Sequence, residues 1–152
     1  FCEASKLVWN VFSEFEAPEY SDEGILNFKE FINPEKLYEN NKNGFMSFWG
    51  CFNKNKLIGI ITLRESCHIS LLFVKKEYQN KGIGRKLFNK IKTEIIANNS
   101  HIEFITVNSS PFAVKIYEQF GFIATDKEQL QDGLRFTPMK YVLPNINSFK
   151  VK

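Results

Sequence analysis

The pattern that most restricts this chain is a glycine loop between an apolar strand and an amphipathic helix. The run CHISLLFV, which ends at Val74, is typical of a strand, and the loop after it contains Gly82 and Gly84. The helix that follows places its apolar residues on one stripe: Ile83, Leu87, Phe88, Ile91 and Ile95. A helix N-terminus presents unpaired N–H groups and partial positive charge, and glycines leave those groups accessible. The sequence therefore predicts a phosphate-binding site here.

Basic residues around the loop support this prediction; they are Lys75, Lys76, Lys81, Arg85 and Lys86. Two common phosphate loops do not fit. A Rossmann fingerprint needs a third glycine where this chain has Leu87, and the Walker pattern GxxxxGK[ST] is absent. From these residues alone, a tight turn before a basic helix remains an alternative.

Apolar periodicity and turn residues indicate one α/β domain over residues 1–152. A first helix ends before Pro18, and a second is capped by Ser21 and Asp22 and stopped by Pro34. Strands are predicted at 44–53, 56–65, 67–74, 102–107, 121–125 and 135–143. Ser110 and Gly121 should begin and close a short helix, and Pro138 implies an edge or a bulge.

Composition excludes several classes of protein. The 152 residues are 43% apolar with 16 Phe, which is typical of a packed globule. Neither a signal peptide nor a run of ~18 apolar residues is found, so no membrane association is expected. Three separated cysteines without CxxC spacing argue against a disulfide framework, and no cluster has metal spacing. A cytoplasmic protein without a metal is expected.

Two segments resemble the signatures of the GNAT acyltransferases. QNKGIG (79–84), placed after the strand, is similar to the family's Q/R-x-x-G-x-G/A motif, and TVNSSPFAVKIYEQFGF (106–122) is similar to its second motif. The resemblance covers most of the chain and implies the GNAT acyl-CoA N-acyltransferase fold, an α/β (α+β) fold with a mixed central sheet and helices on both faces. Such proteins usually begin with a strand, whereas this chain opens almost directly into a helix, so we expect the first strand to be truncated.

The resemblance also implies how acetyl-CoA is bound. The pyrophosphate would be held by the loop and helix start: Gln79, Asn80, Lys81, Gly82, Ile83, Gly84 and Arg85. Leu72, Phe73 and Val74 would splay from the strand 102–107 and bond the pantetheine arm as an added strand would. Asn108 would bond the arm further along.

Three residues are candidates for the chemistry of acetyl transfer, which needs a neutral amine and a proton for the departing thiolate. Tyr117 matches the family's general acid, although an aromatic residue on a short helix also suits a core. His68 and Glu65 compete as the base. A His pKa near 6.5 suits this role, while a structural His bonded to the next strand is the alternative. Strand alternation would place His68 on one face with Ser70 and Leu72.

We therefore expect an N-acetyltransferase that moves acetyl from acetyl-CoA directly to a primary amine in a ternary complex. One alternative is a non-catalytic acyl-CoA-binding or regulatory module. Another is a nucleic-acid-binding domain using the basic region 75–92, but its basic residues alternate with an apolar stripe rather than with exposed aromatics. The expected partner is a small-molecule or peptide amine, not a nucleic acid or a membrane, and a homodimer is left open.

Charge is distributed unevenly along the chain. Residues 1–39 carry nine acidic and three basic residues, a charge of −6, and the remainder carries +9. The segment 13–24 contains only acidic charges: Glu14, Glu16, Glu19, Asp22 and Glu23. In GNAT proteins this connection usually walls the acceptor side, so the resemblance implies a cationic acceptor. The alternative is that these acids are only solvent-exposed charges at the ends of helices.

Overall fold

The computed structural model of the protein describes residues 1–98 and 101–144. Within these residues the α-helices are α1 (Cys2–Phe15), α2 (Asp22–Phe31), α3 (Pro34–Lys42), α4 (Ile83–Asn98) and α5 (Val114–Phe120). The strands are β1 (Met46–Asn53), β2 (Lys56–Arg64), β3 (His68–Val74), β4 (Phe104–Ser109), β5 (Ile123–Ala124), β6 (Gln129–Gln131) and β7 (Leu134–Val142). None of the helices in the described part is long and apolar enough to cross a membrane.

The strands form one mixed sheet in the order β1-β2-β3-β4-β7-β5, with β6 paired to β7. β1, β2 and β3 make an antiparallel meander, and α4 connects β3 to β4, which pair in parallel. This arrangement confirms the predicted meander and strand–helix–strand crossover. It also places the start of α4 at the C-terminal end of β3, where ligands of such units bind.

Helices cover both faces of the sheet, as predicted. On one face, Phe88 and Ile91 of α4 share a buried cluster with Ile105 of β4. On the other face, Phe12 of α1 shares a second cluster with Leu71 of β3. Burial of one such side chain stabilises the fold by about 1.5–3 kcal/mol. The centre of the sheet is therefore held between two cores.

α2 ends at Phe31, and Pro34 begins the next helix. Proline is tolerated at the first helical position because its missing N–H has no intrahelical partner there. The Asn33 side chain accepts a hydrogen bond from Glu35 N at 2.9 Å and so caps α3. The sequence analysis predicted the stop at Pro34 but missed α3. Its residues are mostly polar and give a weak apolar stripe, in which Leu37 is the buried residue.

One extra residue in β3 changes which face its side chains meet. Ile69 and Leu71 pair with consecutive residues of β2, so Ser70 between them has no partner. Residues two apart in a strand normally share a face, yet Ile69 packs on the α4 side and Leu71 on the α1 side. The alternation therefore breaks at Ser70, and the prediction that His68 and Leu72 share a face is wrong.

The start of α5 also differs from the prediction. Ser110 does not cap it; residues 111–113 form a turn in which Ala113 N donates to Ser110 O at 3.1 Å. The helix begins at Val114, with Ala113 as the residue before it. Gly121 closes α5 in the left-handed conformation, with φ of 106°, as predicted.

Pro138 lies in an interior strand rather than at an edge, because β7 runs between β4 and β5. A residue in an antiparallel strand directs its N and O to the same side. Pro138 O accepts from Thr125 N at 2.9 Å, so the missing N–H would point to the side of β5 and β6. Pro138 falls between the segments of β7 that pair with β5 and β6, so its ring interrupts no ladder bond.

The connection after α1 is fixed to the hairpin β6–β7 by a backbone contact. Gly24 of α2 and Gly133 of the hairpin turn lie so close that a Cβ on Gly24 would overlap Gly133 O. Ser21 Oγ donates to Gly133 O at 3.3 Å, and Asn27 Nδ2 donates to Asp132 O at 2.9 Å. The N-terminal helices and the C-terminal hairpin therefore form one wall.

We expect Gly24→Ala to lower the free energy of unfolding by about 1–2 kcal/mol. Alanine favours a helix over glycine by about 1 kcal/mol, but the overlap of its Cβ with backbone atoms costs more than this gain. Urea unfolding measures the change. Leu26→Ala, on the same helix at a position 66% exposed, is the control and should alter stability little. A Gly24→Ala protein as stable as the control would show that this contact is unimportant.

Candidate active site

The strands β3 and β4 pair over a short stretch and then part. The pairs are His68 with Thr106 and Ile69 with Val107. Beyond them, β3 has no strand partner on its β4 side among the described residues. The splay predicted for Leu72–Val74 is therefore present, and we call the space between the parted strands the gap.

Hydrogen bonds to β2 decide which backbone groups of β3 face the gap. Lys75 N donates to a β2 carbonyl at 2.8 Å, so by alternation the backbone N–H and C=O of Phe73 also point to β2. Leu72 and Val74 then direct their N–H and C=O groups to the gap. Gln79 Nε2 donates to Val74 O at 3.0 Å, which occupies one of these groups. The backbone N–H and C=O of Leu72 and the N–H of Val74 remain suited to hydrogen-bond an extended ligand.

The glycine loop brings the start of α4 to the same end of the sheet. Asn80 and Gly82 have positive φ, 61° and 82°, which turn the chain sharply after β3. Gly82 O accepts from Lys86 N at 3.0 Å, and the amides of Ile83 and Gly84 precede the first intrahelical donor. A Cβ at Gly82 would have no neighbour within 4 Å, so the protein leaves the space in front of these amides open.

Two of the basic residues near the loop are already engaged. Lys76 Nζ lies 2.6 Å from Glu14 Oε1, and Arg85 Nη2 donates to Gln119 O at 3.0 Å. Arg85 keeps its positive charge at the helix start, whereas the charge of Lys76 is balanced. Within the described residues, Lys75, Lys81 and Lys86 make no ion pair. The loop therefore remains positive, though less so than the sequence indicates.

A cleft of about 460 Å³ adjoins the gap. It brings together five of the predicted site residues: His68, Leu72, Phe73, Asn108 and Tyr117. Glu65 lies outside this lining, in an exposed turn between β2 and β3 with φ of 53°. The loop 79–85 lies outside it as well. Among the described residues, no three His, Cys, Asp or Glu side chains cluster closely enough to hold a metal ion.

Tyr117 belongs to both the core and the cleft. Its ring packs edge-on against Phe122, with centroids 5.3 Å apart, and only 5% of the residue is exposed. Burial raises the pKa of its hydroxyl well above the ordinary value, and the nearby Glu16 charge raises it further. The hydroxyl is therefore protonated at neutral pH and can donate a proton but cannot act as a base.

His68 is held to the neighbouring strand, the alternative that the sequence left open. Its Nδ1 lies 2.8 Å from Thr106 Oγ1. Burial and, to a smaller extent, the positive charge of Arg64 together lower the pKa of His68 to about 4. The imidazole is neutral at physiological pH, so the prediction of a pKa near 6.5 is wrong.

Glu16 lines the cleft, a placement that the sequence did not distinguish from that of the other acids in the segment 13–24. It directly follows α1, is only 8% exposed, and lines the cleft together with Tyr20 and Tyr117. Burial raises the pKa of its carboxyl and the neighbouring Ser110 hydroxyl partly offsets this rise, which leaves a pKa of about 7. One signal was available: Glu16 lies four residues after Phe12 and so extends the buried stripe of α1.

Other polar atoms of the lining are buried without a hydrogen-bond partner among the described residues. They are Arg64 Nε, Ser70 Oγ and Ser110 Oγ. A buried polar atom without a partner costs about 1–3 kcal/mol, so most such atoms in proteins are satisfied. Their presence on one cleft favours a polar ligand.

The acidic segment 13–24 forms a weaker negative wall than its composition indicates. Glu14 pairs with Lys76, and Glu19 Oε2 lies 3.1 Å from Arg135 Nη1. Of the five acids in this segment, Glu16 lines the cleft, where Arg64 and Arg135 also lie. The structure therefore gives less support to a general preference for cationic acceptors.

Solved structures with the same fold include three acetyltransferases. A PaiA N-acetyltransferase from Thermoplasma acidophilum, in complex with coenzyme A, is 24% identical with a TM-score of 0.74, over 92% of this chain and 91% of that chain. A GCN5-related N-acetyltransferase from Rhodopseudomonas palustris is 19% identical with a TM-score of 0.75, over 91% and 87%. Tetrahymena GCN5 is 21% identical with a TM-score of 0.65, over 95% and 89%. At these identities the likeness shows the fold.

Sequence comparison gives the family. No curated protein matches the chain significantly. The family model described as acetyltransferase (GNAT) domain matches residues 16–143, which is most of the chain and includes both the glycine loop and Tyr117. The predicted fold and resemblance are confirmed: the chain belongs to the GNAT family and is an acyltransferase.

Proposed function

We propose that the protein transfers an acetyl group from acetyl-CoA directly to a primary amine in a ternary complex. The observation that carries this proposal is the gap between β3 and β4. One end adjoins the open N-terminus of α4, and the other opens into the cleft that contains Tyr117. A ligand lying along the gap would have its anionic end at the helix and its reactive end at Tyr117.

Acetyl-CoA fits the chemistry of this path. The residues that would hold its pyrophosphate are those of the loop and helix start, Gln79–Arg85, where backbone amides and basic side chains meet. The free backbone groups of Leu72 and Val74 would bond the amides of the pantetheine arm, as in strand addition. Asn108, at the end of β4, lines the cleft and would bond the arm near the thioester.

The transfer requires a bond from the amine nitrogen to the thioester carbonyl carbon and loss of the C–S bond. The departing thiolate needs a proton. Tyr117 lines the cleft and carries a protonated hydroxyl at neutral pH, so it would supply this proton, although its raised pKa makes it a weaker acid than a free tyrosine. The phenolate would then recover a proton from the nitrogen of the new amide.

The two residues predicted as bases suit that role poorly. His68 has a pKa of about 4, so its neutral ring would hold an abstracted proton only weakly. Glu65 lies in an exposed turn outside the cleft lining. The acceptor is proposed to be a small-molecule or peptide amine that reaches the cleft from the wall formed by α2 and the hairpin β6–β7.

The function is tested by thiol release from acetyl-CoA against a panel of alkylamines, amino sugars and lysine-containing peptides. We expect acceptor-dependent release with at least one of these classes. Binding of CoA without turnover on any acceptor would favour the non-catalytic acyl-CoA-binding module instead.

Gly82→Asp should abolish CoA binding, because an anionic side chain would enter the open space before the α4 amides. Isothermal calorimetry measures the affinity. Gly44→Asp is a matched control. Gly44 has φ of +80° and Gly82 has φ of +82°, and a side chain at either position would enter open space. Both variants introduce the same backbone strain, but only Gly82→Asp should lose CoA. Unchanged affinity in a folded Gly82→Asp protein would reject the phosphate site.

Tyr117→Phe should lower kcat at least ~100-fold with little change in acetyl-CoA affinity, the usual scale for general acid catalysis. Tyr141→Phe is the control, because Tyr141 shares the Phe122 aromatic cluster but does not line the cleft. Loss of thermal stability in Tyr117→Phe with kcat unchanged would leave Tyr117 as a core residue.

The His68 ring should remain neutral until the pH falls to about 4, because burial disfavours its charged form and Arg64 repels it. NMR titration of the imidazole should show a midpoint well below 6.5. His68→Gln should likewise leave a limb of the pH–rate profile near neutral pH in place. Loss of that limb in the variant would return the base role to His68.

A further inference from the structure

We propose that Glu16 accepts the proton from the ammonium group of the acceptor and so generates the neutral amine that attacks the thioester. This inference rests on the proposed function, which it deepens by assigning a role to one of the five acids of the segment 13–24 that were expected to wall the acceptor side.

The position of Glu16 differs from that of its acidic neighbours. Glu14 and Glu19 are exposed and ion-paired, whereas Glu16 is 8% exposed and makes no ion pair within the described residues. Its location at the end of α1 turns the side chain inward, because it continues the buried stripe after Phe12. A carboxyl buried without a cation is unfavourable to the fold, and it lies on the wall of the cleft.

The hydroxyl groups around Glu16 leave it available to a ligand. Tyr20 donates its hydroxyl to Arg135 O at 3.3 Å, so that proton is engaged elsewhere. Ser110 lies beside the carboxyl and lowers its pKa through a weak contact, but no well-formed hydrogen bond joins its Oγ to any of the described residues. Tyr117 is close enough for the Glu16 charge to raise the pKa of its hydroxyl. The carboxyl and the proposed acid therefore lie in one site.

The surroundings also set the pH range in which Glu16 can act. The titratable and charged groups that line the cleft from the packed elements are Tyr20, Arg64, His68, Tyr117, Asp132 and Arg135. Burial dominates over these neighbours and raises the pKa of Glu16 to about 7. An ideal catalytic pKa lies near the working pH, so this carboxyl is a stronger base than an exposed one and is still ionised just above neutrality.

The protons balance as follows. The acceptor enters as R–NH₃⁺ and gives one proton to the Glu16 carboxylate, which releases the nitrogen lone pair. That lone pair forms the C–N bond, the C–S bond breaks, and the thiolate takes the Tyr117 proton. The nitrogen, which is positively charged after attack, returns a proton to the phenolate. Acetylated amine and free thiol leave, and Glu16 gives its proton to water.

The test uses Glu16→Gln, which keeps the shape of the side chain and removes its titration. An alkylamine acceptor, with a pKa near ~10.4, is almost fully protonated at pH 7.5. There we expect kcat/KM to fall at least ~100-fold, the usual scale for a general base. The wild-type limb near pH 7 should disappear, and the deficit should narrow toward pH 10 as the amine loses its proton unaided. Glu39→Gln, an exposed carboxylate on α3, is the control and should match the wild type.

A second measurement tests the burial of the carboxyl without relying on turnover. Below about pH 4.5, Glu16 is protonated in both folded and unfolded chains, so it adds no pH dependence. Between that pH and about 7 only the unfolded chain releases the proton, so wild-type stability falls as the pH rises. The Tm of Glu16→Gln should therefore exceed that of wild type at pH 8 by a margin that shrinks toward pH 4.5.

The outcomes separate this inference from the proposed function. If wild type releases no thiol with any acceptor, the proposed function fails. If wild type is active and Glu16→Gln keeps both its rate and its limb near pH 7, the base assignment fails alone. A rate that falls equally at every pH, with the limb unmoved, also rejects proton transfer and leaves Glu16 as a binding residue.

Discussion

The early end of the parallel pairing between β3 and β4 is the constraint on which the site depends. The extra residue at Ser70 lies immediately after the last pair, and a bulge of this kind bends and twists a strand. An interior strand normally forms backbone hydrogen bonds to neighbouring strands on both sides. Here Leu72 and Val74 instead direct backbone N–H and C=O groups toward the gap. The two flanking cores and the pairing to β2 hold the strand in place, so the unpaired stretch persists without collapsing onto β4.

An ion pair at the surface links two regions of the proposed site. Lys76 precedes the glycine loop, and Glu14 lies two residues before Glu16, so their contact connects the proposed phosphate end to the region around Glu16. An exposed ion pair of this kind adds little to stability. The direction of Glu16 is set by the helix instead, because Glu16 continues the buried stripe of α1 after Phe12 whereas Glu14 faces the surface.

The sequence predicted those parts of the fold that depend on local pattern. Apolar stripes marked α1 and α4, and the glycine loop marked the start of α4. Short polar elements escaped detection: α3 buries little besides Leu37, and β6 has three residues that are all exposed. The site was predictable only where a motif carried it, as at Tyr117. The burial of Glu16 depends on α5 and on cleft residues over 90 positions away in the sequence. The low pKa of His68 depends on its surroundings in the fold. Neither property is visible in the local sequence.

The contact between Gly24 and Gly133 has a consequence for how acceptor choice could change in evolution. The wall formed by α2 and the β6–β7 hairpin, which faces the proposed acceptor, is joined where backbone contacts backbone, and neither glycine has room for a side chain. Its spacing is thus set by the lengths of the α1–α2 connection and the β6–β7 hairpin rather than by residue size. Insertions or deletions in those two segments, more than point substitutions, are the changes that would let this scaffold admit an amine of a different size.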